Sequence, residues 1–425
     1  MRALVIAPQP FFSARGTPFS VYYRTLLMAE AGVTIDLLTY GQGQDVELPG
    51  VRVIRTPALG WLGTVRVGPS ALKALHDVLV ALWAMALLMR NRYDFVHAHE
   101  ESVFFARLLK PLFRYQLVYD MHSSLPQQLE NFQYTSSKAL IRLFERLELA
   151  SLTDADAVIT ICPELARIAM GRMPDPSRHF LIENSVLDEV RLKPGSHNVP
   201  ESGAMEPAVP IDRPLILYAG SFEPYQGLDL LLAAFARLRQ HHADAFLVMM
   251  GGLPQQVQRL SALAAEHGLE GHCLVTGRVP QQVARQFAQR ATTLVSPRDR
   301  GCNTPLKLYE QLASGTPLVA TRIPSHTQVL NDQVCFLVEA TAEGLAQGML
   351  ESLQDQERRR LVVAAALALY HDKYSRAAYQ EAVRSVLGLL ERGRAPRPAL
   401  AVDYPTRDAV ASPAAREEPA ASRSM

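Results

Sequence analysis

Short apolar segments alternate with longer helical segments along most of this chain. Residues 3–7 (ALVIA) and 34–39 (TIDLLT) have the length and apolar character of buried strands, and helical segments of ten or more residues separate such runs. Strands that are apolar throughout predict a parallel sheet covered by helices on both faces. The alternation stops near residue 190 and resumes near residue 214. The sequence therefore predicts an α/β fold in which two Rossmann-like, doubly wound domains face a cleft.

The same periodicity gives approximate bounds for the elements. The predicted strands are residues 3–7, 34–39, 51–56, 95–99, 116–122, 157–161, 215–220, 245–252, 273–277, 292–296, 317–321 and 335–338. The predicted helices are residues 19–31, 78–89, 227–240, 254–267, 280–289, 305–314 and 341–354, followed by terminal helices that reach residue 390.

A segment rich in Pro, Gly and Ser joins the two halves and has no apolar period, which is typical of a linker. The chain end is rich in Ala, Pro and Arg without periodicity, which predicts disorder. We therefore expect an N-terminal domain over residues 1–190, a linker over 191–213, a C-terminal domain over 214–372, a helix over 373–392 that packs back on the N-terminal domain, and a disordered tail over 393–425.

Composition limits the partners. The chain has 43 Lys and Arg against 42 Asp and Glu, so it lacks the excess of positive charge that is typical of nucleic-acid-binding proteins. Nucleic acid is therefore not expected as a partner. The four cysteines lie far apart without a CxxC pair, which favours neither zinc nor disulfides and fits a reducing cytoplasm. The first residues read as a strand rather than as a secretion signal.

One apolar stretch needs separate consideration. Residues 78–89 (VLVALWAMALLM) are uninterrupted by charge, but they are fewer than the roughly 20 residues that a spanning helix needs. We predict a buried helix here. Contact with a membrane surface is the alternative that the sequence leaves open.

The segment CNTPLKLYEQLASGTPLVAT at residues 302–321 combines charge and turn signals. Thr304 is predicted to cap a helix whose first residue is Pro305, which places Lys307 in the first turn. A cation beside free backbone N–H groups is favourable if both bind a phosphate. Glu310, one turn further on, could accept hydrogen bonds from ribose hydroxyls. The alternative is that Lys307 and Glu310 form a solvated pair at the surface.

Several segments carry a family resemblance. Residues 310–321 (EQLASGTPLVAT) resemble the signature of the family 4 retaining glycosyltransferases, which have the two-domain GT-B architecture and use nucleotide-activated sugars. Other segments resemble that family in the same order along the chain. These are residues 14–26 (ARGTPFSVYYRTL), 96–99 (VHAH), 119–124 (YDMHSS), 218–235 (YAGSFEPYQGLDLLLAAF), 249–252 (MMGG) and 276–280 (TGRVP), so the resemblance covers roughly residues 1–390.

The resemblance implies a nucleotide-diphosphate sugar as donor, bound by the C-terminal domain, and an N-terminal acceptor domain. It also implies that His122, at a strand end, reaches the cleft and contacts the sugar or the acceptor. Gly16 and Thr17 should form a loop that approaches the diphosphate closely. The expected donor-binding residues are Gly16, Thr17, Gly220, Ser221, Gln226, Arg278, Arg298, Lys307 and Glu310, and the expected catalytic residues are His122 and Lys307.

The chain departs from the family pattern at three positions. Cys302 replaces a Glu that holds sugar hydroxyls, and Ser221 and Gln226 stand where the family has an Arg and a Lys for the diphosphate. We hypothesise that Lys307, together with Arg298 or Arg300, supplies the missing positive charge.

No metal or other cofactor is expected. His97 and His99 share one face of a predicted strand, but no distant third ligand is evident. The sequence from Asp154 to Asp156 has the Asp-x-Asp spacing of metal-dependent glycosyltransferases of another fold, but it precedes a strand, and we do not interpret it as a metal site. In a GT-B enzyme, basic side chains and helix dipoles can stabilise the leaving diphosphate instead.

The implied reaction is glycosyl transfer with retained anomeric configuration to a glycan or a lipid-linked acceptor. Transfer would take place in the cytoplasm, with peripheral contact to the inner face of the membrane left open. Two alternatives remain at this stage. A nucleotide-sugar epimerase would need acid and base carboxylates, for which Glu100 and Asp120 are candidates. A non-catalytic homologue that only binds nucleotide sugar would fit the three departures.

Overall fold

The computed structural model describes residues 1–13, 16–58, 71–124, 126, 138–185, 190, 209–210, 212–301 and 303–393. Cys302, most of the predicted linker and all but the first residue of the predicted tail lie outside the described residues.

The N-terminal half contains a seven-stranded parallel sheet. Its strand order is β3-β2-β1-β4-β5-β6-β7, in which the chain starts in the middle and winds to each edge in turn. The strands are β1 (Arg2–Ala7), β2 (Thr34–Thr39), β3 (Val51–Arg55), β4 (Phe95–His99), β5 (Gln116–Met121), β6 (Ala157–Thr160) and β7 (His179–Leu181).

The C-terminal half repeats the arrangement with six parallel strands in the order β10-β9-β8-β11-β12-β13. The strands are β8 (Leu215–Ala219), β9 (Phe246–Met250), β10 (Cys273–Thr276), β11 (Thr293–Ser296), β12 (Leu318–Thr321) and β13 (Phe336–Val338). Two doubly wound sheets confirm the predicted fold class.

Helices connect the strands and cover both faces of each sheet. In the N-terminal half they are α1 (Gly16–Glu30), α2 (Ala71–Arg90), α3 (Ser102–Phe113), α4 (Lys138–Asp154) and α5 (Pro163–Met170). In the C-terminal half they are α6 (Leu228–Leu238), α7 (Pro254–Glu266), α8 (Gln281–Arg290), α9 (Lys307–Ala313), α10 (Pro324–Thr327), α11 (Ala342–Gln354), α12 (Gln356–Leu369) and α13 (Arg376–Arg392).

The last helix returns to the N-terminal domain. Ser375 caps α13, with its hydroxyl 3.3 Å from the N–H of Ala378. The buried side chains of Tyr379, Val383 and Leu390 belong to the same core as the strand residues of β1. An apolar face at helical spacing therefore buries itself across the domain boundary and ties the two halves together.

Two local predictions need correction. Gly16 and Thr17 begin α1 rather than forming a loop, because the helix starts three residues before its first strongly apolar position. Thr304 does not cap α9, which begins at Lys307. The turn before α9 is closed by backbone bonds, such as that from the Leu308 N–H to the Pro305 carbonyl (3.1 Å). The buried Thr304 hydroxyl has no hydrogen-bond partner among the described residues.

The predicted burial of the apolar helix is also wrong. Helix α2 spans 20 residues, and one side of it packs on the sheet through Val80 and Ala84. Its opposite side exposes large apolar side chains such as Val78 and Met89, at 57% and 65%. The sequence could not reveal this, because a helix that is apolar all round gives the same pattern whether one or both sides are covered.

Candidate active site

The C-terminal ends of β8 and β11 and the start of α9 bring several predicted donor-binding residues together. Lys307 Nζ donates a hydrogen bond to Gln226 Oε1 (3.1 Å), and Gln226 Nε2 lies 3.4 Å from Ser221 Oγ. The ammonium of Lys307 also lies 4.2 Å from the centre of the Tyr218 ring. Gly220, next to Ser221, lies beside the Lys307 side chain: a Cβ at position 220 would be 3.6 Å from Lys307 Cδ. The side chains that replace the family's Arg and Lys therefore lie beside the lysine proposed to compensate for them.

Gly227 fixes the position of Gln226. Its φ of +68° lies in the left-handed region, and a Cβ at this position would come within 2.0 Å of the Pro297 carbonyl oxygen. Only glycine fits such a conformation at so close an approach. The turn that presents Gln226 is thereby held against the segment that contains Arg298.

Arg298 contributes charge to the same cluster. Its Nε donates to the Arg300 carbonyl (2.8 Å), and its Nη1 donates to the Asn303 carbonyl (3.0 Å). Its guanidinium also lies 5.0 Å from the centre of the Tyr225 ring. Arg300 is more exposed and pairs with Asp299 at 3.4 Å. Arg298 is therefore held in the cluster, whereas Arg300 lies at its periphery.

Two positive charges in one half-buried site disfavour each other. Burial, and secondarily the charge of Arg298, lowers the pKa of Lys307 to about 7. Burial and the same two cations lower the pKa of the nearby His326 to about 4, so this imidazole is neutral. The cluster is therefore a site where a bound anion would relieve the repulsion between cations.

Glu310 is held by neighbouring side chains, whereas Arg278 is exposed. The Glu310 carboxylate, one turn after Lys307, accepts hydrogen bonds from Gln281 Nε2 (2.8 Å) and Arg285 Nη2 (3.2 Å). Its side chain is one-third exposed. Arg278 is exposed on the loop that precedes α8. Glu310 is thus oriented by two partners, while no described contact holds Arg278 in the cluster.

The N-terminal domain approaches the cluster through the start of α1. A Cβ on Gly16 would lie 3.8 Å from Cδ1 of Leu306, the residue before Lys307. Thr17 follows in the first turn of the same helix and is half-buried. Gly16 therefore faces the beginning of α9 across the domain boundary.

A second cluster lies at the carboxyl ends of β4 and β5. The Asp120 carboxylate is fully buried and forms an ion pair with Arg24 Nη1. His97 Nε2 lies 2.8 Å from Asp120 Oδ2, and His99 Nδ1 lies 3.1 Å from His122 Nε2. Residues at alternate positions of two paired strands share one face, which is why these four polar side chains from the strand ends meet.

His122 is directed into this cluster, and the prediction that its imidazole reaches the cleft is not what the structure shows. The residue is 3% exposed, and its Nε2 lies 3.2 Å from Asp120 Oδ1. The buried carboxylate attracts the ring, since Asp120 and His122 lie on the same side of the strand end. Nδ1 of His122 is buried without a hydrogen-bond partner among the described residues.

The electrostatics of the second cluster explain its charge states. Burial alone would raise the pKa of Asp120, but Arg24 and the neighbouring histidines hold it well below its usual range. Burial lowers the pKa values of His97 and His99, so both rings are neutral. A permanently ionised Asp120 paired with Arg24 is unsuited to act as the acid or base that an epimerase would need.

His97, His99 and Asp120 could in principle hold a metal, since one ligand atom from each lies within 4.8 Å of the others. Asp120 was not predicted as a third ligand. Arg24, however, already provides the positive charge that Asp120 requires. The three side chains therefore resemble a complete ion-pair network more than an open metal site. The absence of a metal stays a prediction.

Sequence reasoning also missed Arg24 and Glu183. Arg24 is an isolated charge within an otherwise apolar helical stretch, and that signal could have identified it as a buried partner. Glu183 follows β7, a three-residue strand that was not predicted. Its carboxylate accepts a hydrogen bond from the Tyr309 hydroxyl (3.2 Å) of α9, which links the two domains beside the donor cluster.

Burial raises the pKa of Glu183 to about 7, from an ordinary value of 4.5. Since the folded state favours the protonated form, the stabilisation by this group is fully present below about pH 4.5 and is lost as the pH rises through about 7. Glu183→Gln mimics the protonated carboxyl. We expect it to raise the stability at about pH 8 by about 1–2 kcal/mol relative to the native chain, with little change at about pH 4.

Urea unfolding at both pH values checks this prediction. Glu266→Gln, a matched substitution of an exposed side chain on α7, serves as the control and should leave the pH dependence unchanged. Equal pH dependence in native protein and Glu183→Gln would contradict the assignment.

Comparison with known proteins agrees with this geometry. A family model described as glycosyl transferase 4-like domain matches residues 25–185, and one described as glycosyl transferases group 1 matches residues 205–367. Two facing Rossmann-like domains with these matches define a glycosyltransferase of GT-B architecture. The chain belongs to the group 1 glycosyltransferases of family 4, and it is a sugar-transferring enzyme.

The individual relatives and solved structures described next share 25% or less of their residues with this chain. The D-inositol 3-phosphate glycosyltransferase of Corynebacterium efficiens is 25% identical over 353 residues, which are 79% of this chain and 81% of the relative. The sucrose-phosphate synthase structure from Thermosynechococcus elongatus has a TM-score of 0.70 at 20% identity and covers 93% of this chain and 100% of its own. The Anabaena protein HepE, solved in complex with UDP-glucose, has a TM-score of 0.63 at 14% identity. The match covers 91% of this chain and 99% of the HepE chain. At such identities, these structures establish the fold only.

Proposed function

We propose that this enzyme transfers a sugar from a nucleotide-diphosphate sugar to a glycan or a lipid-linked acceptor, with retention of the anomeric configuration. The observation that carries the proposal is the position of the Lys307 ammonium, 3.1 Å from Gln226 Oε1 at the end of β8. Arg298 adds a second cation to the same cluster. The Anabaena neighbour HepE was solved in complex with UDP and with UDP-glucose, which supports a donor of this class.

In this proposal the diphosphate binds between Lys307 and the start of α1, with Gln226 and Ser221 as neutral hydrogen-bond partners. The bond from the anomeric carbon to the diphosphate oxygen breaks, and a bond from the same carbon to the acceptor oxygen forms on the same face. The acceptor proton passes to the departing diphosphate oxygen. Lys307 and Arg298 neutralise the charge that develops there, so no metal is required in this scheme.

The remaining predicted residues have supporting roles. Glu310 would bind the ribose hydroxyls while Gln281 and Arg285 orient its carboxylate. His122 is not assigned a contact with the sugar or the acceptor, because its imidazole is buried against Asp120. Asp120 and Arg24 would hold His122 in place from behind rather than react themselves.

Donor identity is the first test. Thermal shift with UDP-, GDP- and ADP-sugars should single out one nucleotide, since a bound ligand stabilises the folded state in proportion to the logarithm of its concentration over its Kd. NMR of the product with that donor should show the anomeric configuration of the donor retained. Inversion, or interconversion of donor sugars without an acceptor, would contradict the proposal.

The lowered pKa of Lys307 predicts a pH dependence of donor binding. A bound diphosphate favours the charged ammonium, so binding is tightest below about pH 7 and weakens as the pH rises through that value. Above pH 7, binding should take up a proton, which calorimetry in buffers of different ionisation enthalpy measures. We expect Lys307→Arg to bind with little pH dependence over about pH 6–9, because its guanidinium stays charged.

We also propose that the enzyme works in the cytoplasm at the inner face of the membrane, where a lipid-linked acceptor would be presented. The exposed apolar side of α2 supports this location.

A further inference from the structure

Helix α2 carries two opposite apolar stripes. The buried stripe consists of Val80, Ala84 and Leu88, and His76 is buried on the same side of the helix. The exposed stripe consists of Leu75, Val78, Leu82, Met85 and Met89, each between 36% and 65% exposed. Its spacing of three and four residues keeps all five side chains on one side of the helix, facing away from the sheet.

The exposed apolar surface continues onto the neighbouring helices. Helix α3 contacts both α2 and α4. Leu108 and Leu112 of α3 are exposed by 66% and 71%. Leu140 and Leu143 of α4 are also exposed. We call the exposed stripe of α2 together with these four leucines the outer apolar face. An apolar surface across three adjacent helices is unusual on a protein that meets only water.

Helix α2 lies along this face rather than crossing a membrane. The segment Leu72–Arg90 is long and apolar enough to cross one, with a mean hydropathy of 1.7. Its buried stripe, however, belongs to the core that α2 shares with β1 and β4. Removing it from the sheet would expose that core, so only the outer side is available to lipid.

The charges around the face are asymmetric. Five arginines on or just after these helices are exposed and form no ion pair with a described residue: Arg90, Arg92, Arg114, Arg142 and Arg146. Most acidic side chains of the same helices are paired, Asp77 with Lys73, Glu148 with Arg172 and Asp154 with Arg107, whereas Glu145 is exposed. The free charge at the face is therefore mainly positive, which complements an anionic surface.

A second copy of the chain fits the face less well. The stripe has coiled-coil spacing, but Ala74, Leu79, Ala81 and Ala86 occupy the positions that flank it. Coiled coils usually carry charged residues there, which select the partner helix. Nothing in α2 offers such selection, whereas a bilayer needs none.

We propose that the outer apolar face docks on an anionic phospholipid bilayer, with α2 lying in the plane of the interface and the five arginines contacting headgroups. Trp83, 36% exposed, is suited to the boundary between headgroups and acyl chains. This inference specifies the surface for the membrane contact proposed above. It does not depend on the identity of the sugar donor.

Co-sedimentation of the full chain with vesicles tests the proposal. We expect binding to phosphatidylcholine vesicles that contain phosphatidylglycerol, weaker binding to phosphatidylcholine alone, and a decrease with added salt. Leu82→Glu should reduce binding to the anionic vesicles at least about tenfold. Arg90→Gln and Arg92→Gln should each reduce it about fivefold.

Leu361→Glu is the matched control, since Leu361 on α12 is 56% exposed and Leu82 is 49% exposed. It should bind vesicles like the native chain. The thermal shift produced by the preferred nucleotide should be the same in Leu82→Glu as in the native protein, which separates loss of docking from loss of the donor site or of folding.

Three results would overturn the inference. These are no vesicle binding by the native chain, equal binding by Leu82→Glu and the native chain, or a native dimer that Leu82→Glu converts to monomer in light scattering. The last result would assign the face to a second copy of the chain.

Discussion

Replacing Lys307 by alanine is expected to lower kcat/KM for the nucleotide sugar by at least about 100-fold, which is about 2.7 kcal/mol of transition-state stabilisation. The reason is structural. Ser221 and Gln226 carry no charge, so Lys307 provides the only ammonium that contacts them among the described residues. Arg298 is occupied with the carbonyls of its own loop and cannot move fully into the vacated position.

Steady-state kinetics with the preferred donor measures this effect. Arg360→Ala is the control, because it also removes one positive charge, but from an exposed pair with Glu357 on α12. It should change kcat/KM less than about twofold. An equal effect of the two substitutions would show that Lys307 acts only through the overall charge of the protein. Lys307→Arg should retain part of the activity, since the charge is kept.

Replacing Arg24 by alanine is expected to destabilise the protein by about 3–5 kcal/mol. The substitution removes the guanidinium that pairs with Asp120, donates to the Ile182 carbonyl (3.0 Å) and lies 5.9 Å from the centre of the Tyr379 ring. It would leave a fully buried carboxylate beside two neutral histidines. Because Tyr379 belongs to α13, the loss should also weaken the contact between the domains.

Urea unfolding of the full chain measures the loss. Arg178→Ala, which breaks the exposed pair with Asp175, is the control and should cost less than about 1 kcal/mol. Combining Arg24→Ala with Asp120→Asn removes both charges and should recover part of the loss, which keeps the test valid if the single variant fails to fold. A cost below about 1 kcal/mol for Arg24→Ala would contradict the ion-pair network.

The fold was predictable because its signals are local and repeated. Most of the short apolar strands are followed by a helix, and the observed strand β2 has the predicted bounds of residues 34–39. Strand β7 was missed because only Phe180 and Leu181 of its three residues are apolar, whereas all three residues of β13 are apolar. The predicted N-cap of α9 was wrong because a Thr followed by a Pro is typical of a helix N-terminus. In this structure residues 304 and 305 belong to a backbone turn that precedes the helix.

The candidate site was predictable only in part. Turn and strand-end positions placed Gly220, Ser221, Gln226 and Lys307 near each other, since carboxyl ends of parallel strands meet at one edge of a sheet. The environment of His122 was not predictable, because it depends on Arg24, which lies about 100 residues away in the sequence. Long-range pairing of buried charges leaves no periodic signal in a single sequence.

The most direct test of the account is a crystal structure of the full chain with UDP or GDP, whichever gives the larger thermal shift. We expect diphosphate oxygens within about 3 Å of Lys307 Nζ, between Gln226 and the start of α1. A nucleotide bound elsewhere, or bound with its diphosphate away from Lys307, would contradict it.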